Sequence, residues 1–351
     1  MNHSDKNIDP SVAIIIPVYN GGATLKKCLE SIRADCDRPN WELIVVDDAS
    51  SDDSAAIARE AGARLIKMER NVGVSAARNA GARATGAGVV IFIDADIVVS
   101  PGALAVMVET LRERPEISVV GAYPLPGDLS PHWSAHFVGL RSAWGYHWQE
   151  RESERRFSSI QSECGAMRKS VFNELDGFSE RHGGVGMEEF HMAHELERRG
   201  YGHLLLRSAS YRHHYKSLGR RCLALFDRTA RWVPLLLRRK RFESRGAVGT
   251  GDAASSCLLT FIAVASLVAA IFQPWFLAAA GFAWFIQALI EIPFLRFARR
   301  LYGWPMVFYA LPALQVMHVA IGLGFIRGLL RIPFVHRKTR LKNRTIQGQD
   351  D

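Results

Sequence analysis

Two carboxylates, Asp94 and Asp96, directly follow a short apolar run, VVIFI, at residues 89–93. A continuous run rich in β-branched residues is typical of a strand that is buried on both faces of a sheet. At the end of an extended strand, residues i and i+2 point to the same side, so both carboxylates can converge on one cation. Oxygen ligands of this kind favour Mg²⁺ or Mn²⁺ over zinc. The alternative is a pair of solvated acids in a loop.

The elements that position this pair are predicted from the alternation of apolar runs and helical segments along the chain. Predicted strands occupy residues 12–18, 42–46, 64–67 and 89–93, and predicted helices occupy residues 23–34, 52–61 and 71–84. This alternation specifies an α/β fold in which a mostly parallel sheet has helices on both faces. The ligand crevice of such a sheet lies at the carboxyl ends of its strands, where the two acids are. Ser100 and Pro101 predict the N-cap and first turn of a further helix.

Charged and apolar residues are distributed unevenly over the 351-residue chain, which carries a net charge of +9. Residues 253–330 are nearly all apolar, and basic clusters flank or interrupt them at residues 238–241, 296–300 and 331–344. Basic clusters beside an apolar region suit an anionic membrane surface. The chain lacks the interleaved aromatic and basic residues of a nucleic-acid-binding module. We therefore expect membrane lipids, and no nucleic acid, among its partners.

The scattered cysteines predict a cytoplasmic domain, and the N-terminal residues do not resemble a signal peptide. The five cysteines are scattered and include no C-x-x-C pair; they are Cys28, Cys36, Cys164, Cys222 and Cys257. This pattern predicts reduced thiols rather than a disulfide or zinc framework. The polar residues 1–11 lack the basic n-region and apolar h-region of a signal peptide.

Four motifs carry a resemblance to a known family. They are IIIPVYNGG at residues 14–22, VVDDASSDDS at 45–54, RNVGVSAARNAG at 70–81 and IFIDAD at 91–96. In this order and spacing they resemble the first half of a family 2 glycosyltransferase with the GT-A fold, and the match extends over residues 12–215. The resemblance implies a nucleotide-sugar donor and transfer of its sugar to an acceptor.

The resemblance also implies which residues hold the donor. Pro17, Tyr19 and Asp48 correspond to contacts with the base and ribose, and a carboxylate at a strand end can accept hydrogen bonds from both. Arg78 corresponds to an arginine near the phosphates. The alternatives are that Tyr19 is a packing residue, that Asp47 serves only a turn, and that Arg78 lies on a helix surface.

The Asp-Ala-Asp motif then has a mechanism, because a divalent cation stabilises the charge that develops on a diphosphate leaving group. Asp96 is the expected direct ligand, and Asp94 is expected to contact ribose or a metal-bound water. Phosphate oxygens supply other ligands, so few protein ligands are needed. The resemblance also implies a histidine that closes over the metal and diphosphate, either His213 or His214; a pair of surface histidines is the alternative.

Two acids, Glu188 and Glu189, lie at the predicted start of a helix within residues 183–200, where the helix dipole favours carboxylates. The family usually has Glu-Asp here, with the second residue as catalytic base, so the resemblance implies Glu189 as the base. Glu188 would then orient the loop or contact the acceptor, since adjacent helical residues point about 100° apart. The alternative is a pair of helix-terminal acids without a catalytic role.

The middle of the chain is less informative. Residues 117–122 predict a strand, and residues 132–148 predict a helix that either covers the substrate or packs against the sheet. None of its histidines, His132, His136 and His147, is assigned as a ligand. Residues 160–169 resemble the acceptor-side strand of the family.

The C-terminal third predicts a membrane-bound region. Residues 220–241 suit an amphipathic helix in the membrane interface, interrupted near Pro234. Three apolar stretches follow at residues 253–272, 275–295 and 304–327. The first two are long enough to cross a bilayer, and their basic flanks place both ends in the cytoplasm. The third either spans or, with a kink at Pro312, follows a re-entrant path.

We therefore expect a GT-A domain at residues 12–219 after a polar tail at 1–11, followed by an interfacial segment at 220–252, a transmembrane region at 253–330 and a basic tail at 331–351. The predicted protein is a multi-pass enzyme of a bacterial-type inner membrane with its catalytic domain in the cytoplasm. It would transfer a sugar, with inversion, to a lipid-linked or membrane-proximal glycan, as in the synthesis of cell-envelope polysaccharide.

Three alternatives remain open at the level of sequence. A polyprenyl-phosphate glycosyltransferase would use a phosphate oxygen as acceptor and would need no base. A nucleotidyltransferase shares the sheet and the acidic metal site, but residues 14–22 lack the basic residue of its phosphate loop. A non-catalytic membrane scaffold would require a degenerate site, whereas Asp48, Asp94, Asp96 and Glu189 are all present.

Overall fold

The computed structural model describes residues 11–130, 132–146, 153–155, 160–180, 188–239 and 250–347. They belong to two compact units, Met1–Tyr215 and Lys216–Asp351.

The first unit begins with four parallel strands in the spatial order β3-β2-β1-β4. Their bounds are β1 Val12–Val18, β2 Trp41–Asp47, β3 Arg64–Lys67 and β4 Val89–Ile93. The connecting helices are α1 Gly22–Cys36, α2 Ser54–Glu60 and α3 Val74–Arg83. Because β2 and β4 both pair in parallel with β1, the carboxyl ends of these strands lie at one edge of the sheet.

The sheet continues from β4 through β8, β6 and β9 to β5, and β7 pairs with β9. The strands are β5 Ile97–Val99, β6 Ile117–Pro124, β7 Glu154–Arg155, β8 Cys164–Arg168 and β9 Gly202–His213. The helices of this half are α4 Ala103–Glu113, α5 Trp133–Gly145, α6 Lys169–Glu174 and α7 Glu188–Arg198. Strand β8 is antiparallel to both β4 and β6, whereas β9 is parallel to β6. The predicted α/β architecture is confirmed, with antiparallel pairings added in its second half.

Both faces of the sheet are covered, as the apolar strands predict. Along β1, Ile14 and Ile16 are fully buried on the face that packs against Leu25 of α1. Ile15 faces the other way and packs with Ala77 of α3. This alternation is the period-2 side-chain pattern of a strand between two helical layers.

The helix start predicted after the acidic pair is wrong. Residues 97–99 form β5, a strand that the sequence analysis did not identify, and α4 begins after Gly102, whose φ is 75°, instead of after an N-cap at Ser100. The cause is a non-local pairing: β5 is antiparallel to β9, with Ile97 opposite His213. The backbone N–H of Ser100 donates to the carbonyl of Ser210 at 2.9 Å, which continues that pairing.

The second unit consists of four helices in its described residues. They are α8 Leu218–Arg239, α9 Thr250–Ala269, α10 Phe276–Ile290 and α11 Ile292–Gln347. Helix α8 is continuous through position 234, so the predicted interruption near Pro234 is wrong. Helix α11 has non-helical backbone at Gly303 (φ 73°, ψ −169°) and not at Pro312.

Within the described residues, one helical stretch, Ile292–Arg331, is long and apolar enough to cross a membrane. The apolar parts of α9 and α10 are shorter, Leu258–Ala269 and Phe276–Ile290. The predicted two-helix crossing at residues 253–272 and 275–295 is therefore not supported by helix length. Length and composition support association with a membrane through an apolar helix.

The helices α8 and α11 approach each other closely. A Cβ added at Gly324 would lie 2.5 Å from the Phe226 carbonyl oxygen, and one at Gly328 would lie 2.6 Å from Val233 Cβ. An ion pair between Arg327 and Asp227, with Nη1 and Oδ1 2.7 Å apart, joins the same two helices. Glycine is thus required at both positions for the helices to pack at this distance.

Candidate active site

The loops after β1 and β2 meet at the carboxyl edge of the sheet. The backbone N–H of Asn20 donates to Ser50 Oγ at 3.0 Å, and the N–H of Ser51 donates to Asn20 Oδ1 at 2.8 Å. Asn20 and Ala49 both have positive φ, 50° and 62°. This conformation is costly for alanine and persists where surrounding contacts impose it, often at ligand-binding loops.

The three residues expected to contact the base and ribose lie at this edge. Pro17 is buried opposite Val46 near the end of β1. Tyr19, just beyond the strand, is 55% exposed, so its alternative as a packing residue does not hold. Asp48 is buried, and its Oδ1 and Oδ2 accept the backbone N–H groups of Val72 and Gly73 at 2.9 and 2.8 Å.

Asp48 therefore also has a structural role, which the sequence did not indicate. It fixes the backbone immediately before α3, the helix that carries Arg78. Its neighbour Asp47 accepts the N–H of Ser50 at 2.9 Å, which is the turn role considered for Asp47.

Arg78 is a buried arginine, with 3% of its side chain exposed, so it does not lie on a helix surface. Its Nη2 donates to Asp94 Oδ1 at 2.6 Å, and its guanidinium lies over the ring of Phe178. Burial by itself would lower the pKa of Arg78, but the charges of Asp94, Glu189 and Glu188 outweigh it and raise the pKa. Its Nε and Nη1 are buried and have no hydrogen-bond partner among the described residues. The N–H groups on these two nitrogens of a permanently charged side chain are thus available to an anion.

Asp96 faces His213. The Nε2 of His213 lies 3.5 Å from Asp96 Oδ1, whereas His214 contacts the same residue only through its backbone N–H, which donates to the Asp96 carbonyl at 2.8 Å. The pairing of β5 with β9 places the histidine here. Of the two candidate histidines, the structure brings the ring of His213 to the acidic pair.

The pKa values of this cluster reflect its crowded charges. Burial raises the pKa of Asp96, and Asp94 and Glu163 add to the increase while His213 opposes it. Burial would lower the pKa of His213, but the carboxylates of Asp96, Glu163 and Asp94 outweigh it and raise the pKa. Burial lowers the pKa of His214.

Glu163 is a site residue that sequence reasoning missed. It immediately precedes β8, and its carbonyl accepts the N–H of Asp94 at 2.9 Å. Its Oε2 lies 3.7 Å from His213 Nε2. The antiparallel pairing of β8 with β4 brings Glu163 beside the acidic pair, and a pairing between distant strands leaves no local signal in the sequence. The only indication in the sequence was that residues 160–169 resemble an acceptor-side strand.

Glu188 and Glu189 lie in the first turn of α7 as predicted. Ser162 Oγ donates to Glu189 Oε1, and Glu188 is buried, its Oε2 having no hydrogen-bond partner in the described part of the chain. The negative charges of both acids help to raise the pKa of Arg78, and Glu189 contributes more than Glu188. The glycine-rich residues 183–187 lie outside the described residues.

Helix α5 packs its apolar side chains inward, with Phe137 and Leu140 fully buried. The Nδ1 of His136 accepts the backbone N–H of Asp128 at 3.3 Å, His132 precedes the helix, and His147 lies outside the described residues. The helix thus packs within the fold, which was one of its two expected roles.

The donor set fits a cation that takes part of its coordination from a substrate. Within the described ranges, no group of three or more His, Cys, Asp or Glu side chains is arranged to hold a metal ion. Asp96 Oδ1 and His213 Nε2, 3.5 Å apart, are close enough to share one cation, and oxygen with imidazole suits Mn²⁺ or Mg²⁺ when phosphate supplies the remaining ligands.

Comparison with known proteins identifies the domain that carries this site. Residues 13–176 match the family model described as glycosyl transferase family 2. This part of the chain resembles a glycosyltransferase family 2 domain in sequence. The match confirms the predicted resemblance over residues 13–176 and supports the predicted glycosyltransferase.

Curated relatives of the family 2 domain match it over limited lengths. An uncharacterized protein of Mycobacterium tuberculosis is 38% identical over 115 residues, which are 32% of this chain and 34% of that protein. The undecaprenyl-phosphate 4-deoxy-4-formamido-L-arabinose transferase of Aeromonas hydrophila is 36% identical over 121 residues, which are 32% of this chain and 36% of that protein. The chain thus spans about a third of the length of these relatives.

Among solved structures, the mannosyltransferase PcManGT from Pyrobaculum calidifontis, in complex with GDP-Man and Mn²⁺, resembles this chain with a TM-score of 0.54 and 19% identity. The similarity covers 93% of this chain and 88% of that one. It confirms the GT-A-like fold around the family 2 domain.

Proposed function

We propose that this protein transfers a sugar, with inversion, from a nucleotide-sugar donor to a lipid-linked or membrane-proximal acceptor. The observation that carries the proposal is the convergence of Arg78, Asp94, Asp96 and His213 at the carboxyl edge of a family 2 domain. A buried cation, two adjacent carboxylates and an imidazole at this edge suit a diphosphate and its metal ion.

The donor is held at three points. Tyr19 and Pro17 contact the base, and Asp48, positioned by the N–H groups of residues 72 and 73, accepts hydrogen bonds from base or ribose. Arg78 directs its unpartnered Nε–H and Nη1–H groups to the diphosphate. Asp94 orients Arg78 through one carboxylate oxygen and offers the other to the ribose or to a metal-bound water.

Asp96 and His213 are the groups that hold Mg²⁺ or Mn²⁺ in this proposal. Held by these two side chains, such a cation would stabilise the negative charge of the diphosphate leaving group. Support for the divalent ion comes from the donor set and from the Mn²⁺ present in the similar mannosyltransferase structure.

Glu189 is the proposed general base for a hydroxyl acceptor. Its Oε1 accepts a hydrogen bond from Ser162, which orients the carboxylate, and Glu188 is the more buried of the two acids. A hydroxyl that attacks C1 opposite the diphosphate loses its proton to Glu189.

A second candidate function is transfer to a polyprenyl phosphate. It is favoured by the relative that is named as an undecaprenyl-phosphate transferase. An ionised phosphate oxygen attacks without a base, so Glu189 would then serve only to position the acceptor.

The apolar helix Ile292–Arg331 supports membrane association of either enzyme, and an acceptor carried by a lipid would be presented at the same surface. We propose the cytoplasmic face of a bacterial-type inner membrane, since the scattered cysteines suit a reducing compartment.

The test is a donor screen with membranes that contain the full chain, radiolabelled nucleotide sugars and extracted lipid. We expect one donor to release free nucleoside diphosphate while its sugar appears in the lipid fraction. Membranes with an Asp96→Asn variant are the control. Release of pyrophosphate instead would indicate a nucleotidyltransferase, and no reaction with any donor and lipid would favour a scaffold.

A further inference from the structure

The two carboxylates of the acidic pair, Asp94 and Asp96, have different charged neighbours, and a third carboxylate, Glu163, lies close to them. Arg78 pairs with Asp94 at 2.6 Å and compensates its charge. Asp96 and Glu163 both face the ring of His213, at 3.5 and 3.7 Å from Nε2. In the described part of the chain, no lysine or arginine forms an ion pair with either of them. Among the described residues, two carboxylates therefore share one imidazole as their nearest basic group.

Glu163 is held in this position by a chain of buried hydrogen bonds. The hydroxyl of Tyr211 donates to Glu163 Oε1 at 2.7 Å. Gln161 Nε2 donates to the Tyr211 oxygen at 3.1 Å, and the hydroxyl of Tyr146 donates to Gln161 Oε1 at 2.9 Å. Tyr211 and Gln161 are buried, so the chain is shielded from water, and hydrogen bonds in such surroundings hold their geometry well.

The same strand presents both contacts of Glu163. Tyr211 and His213 are two residues apart on β9, so their side chains lie on one face. One oxygen of Glu163 is occupied by Tyr211, and the other faces His213. An aspartate in place of Glu163 would be one methylene shorter and would not meet both groups from the same backbone position.

We propose that Glu163 is a positioning residue of the divalent-cation site. Anchored by Tyr211, it orients the ring of His213 beside Asp96 and supplies the second negative charge that complements a doubly charged ion. This inference rests on the proposed cation dependence of the enzyme and adds a residue to it. Outer groups that orient a metal ligand commonly change metal affinity when they are replaced.

A purely structural role for Glu163 predicts different behaviour. If the carboxylate served only to join β8 to β9 through Tyr211, Glu163→Gln would retain that function, since a glutamine oxygen also accepts the tyrosine O–H. The variant would then bind a cation as the original protein does.

The experiment measures Mn²⁺ binding to the purified full chain in detergent by electron paramagnetic resonance, without donor or acceptor. We expect Glu163→Gln to raise the Mn²⁺ dissociation constant about 10-fold or more. Tyr211→Phe, which frees the carboxylate but keeps its charge, should raise it by a smaller factor. The matched control is Glu109→Gln, which removes a carboxylate that pairs with Arg112 on the exposed side of α4.

Thermal unfolding without metal accompanies each measurement and should show similar midpoints for Glu163→Gln and the original chain. A dissociation constant for Glu163→Gln within twofold of the original would overturn the positioning role. If the original chain binds Mn²⁺ only after the nucleoside diphosphate of the active donor is added, the variants are compared in that complex. If it binds no Mn²⁺ in either condition, the proposed cation dependence fails and this inference fails with it. If Glu163→Gln does not fold, the Tyr211→Phe variant decides, and unchanged Mn²⁺ affinity in that variant overturns the proposal.

Discussion

Arg78 Nη2 lies 2.6 Å from Asp94 Oδ1, and this pair joins helix α3 to the end of strand β4. The contact uses one of the guanidinium nitrogens and leaves Nε and Nη1 buried and unpartnered among the described residues. Arginine keeps its charge even when buried, so the pair brings a fixed positive charge to the edge of the sheet where the donor is proposed to bind.

Replacing Arg78 should weaken donor binding more than it affects folding. Arg78→Met removes the charge and both unpartnered N–H groups, and charge-assisted hydrogen bonds contribute about 1.5–3 kcal/mol each. Because two such bonds are lost, we expect the nucleoside diphosphate of the active donor to bind about 10²- to 10⁴-fold more weakly, measured by isothermal titration calorimetry.

The control for this prediction is Arg83→Met on the same helix, because the Arg83 side chain is exposed. Its Nη1 lies 3.9 Å from Glu180 Oε1. This variant removes the same charge from α3 without touching the crevice. Unchanged nucleotide affinity in a folded Arg78→Met protein would contradict the proposed contact with the diphosphate.

Asp96→Asn should abolish turnover and leave the fold intact. The substitution removes a carboxylate that faces His213, so the expected cation loses a ligand. The carboxylates of Asp94 and Glu163 both disfavour the charge on Asp96, so its neutralisation should not lower the thermal midpoint of the metal-free protein. Initial rates and a chelator titration check the prediction, with exposed Glu60→Gln as control. Full activity in excess chelator would refute the metal assignment.

Local sequence patterns predicted the first half of the sheet well. Strands β1 and β4 have the bounds that the apolar runs indicate, since a buried parallel strand is continuous and apolar along its whole length. Strand β3, with charged residues at both ends, also has its predicted bounds. Asp94 and Asp96 were found because they end such a strand.

The remaining parts of the site depend on pairings between distant residues. Ile97 lies opposite His213, and Cys164 lies opposite Ile93. The sequence contains no local signal for either register, so it left His213 and His214 equivalent and did not identify Glu163. The predicted N-cap at Ser100 was wrong for the same reason, because β9 pairs with residues 97–99 and holds them as a strand.

The chain should remain in the membrane fraction at high salt. The attraction between basic residues and anionic lipid is screened over about 8 Å at physiological ionic strength and over less at higher salt. Burial of the apolar helix Ile292–Arg331 in lipid does not depend on this attraction. Fractionation in 1 M salt and then in detergent, followed by immunoblotting, should release the chain only with detergent. Complete release by salt would show that the protein is held at the surface by charge alone.

Glu189→Gln distinguishes the two proposed acceptors. Glutamine keeps the oxygen that accepts the Ser162 hydroxyl but cannot take a proton, so the start of α7 should keep its structure. Loss of a general base typically costs about 10²- to 10⁴-fold in rate with little change in donor binding. For a hydroxyl acceptor we therefore expect a fall of this size in kcat at saturating donor and acceptor, and a smaller fall for the matched variant Glu188→Gln.

Near-normal kcat for Glu189→Gln together with a large loss for Glu188→Gln would move the base to Glu188. Near-normal kcat for both would remove the need for a base and favour a phosphate oxygen as the attacking group, because that oxygen is already ionised at neutral pH.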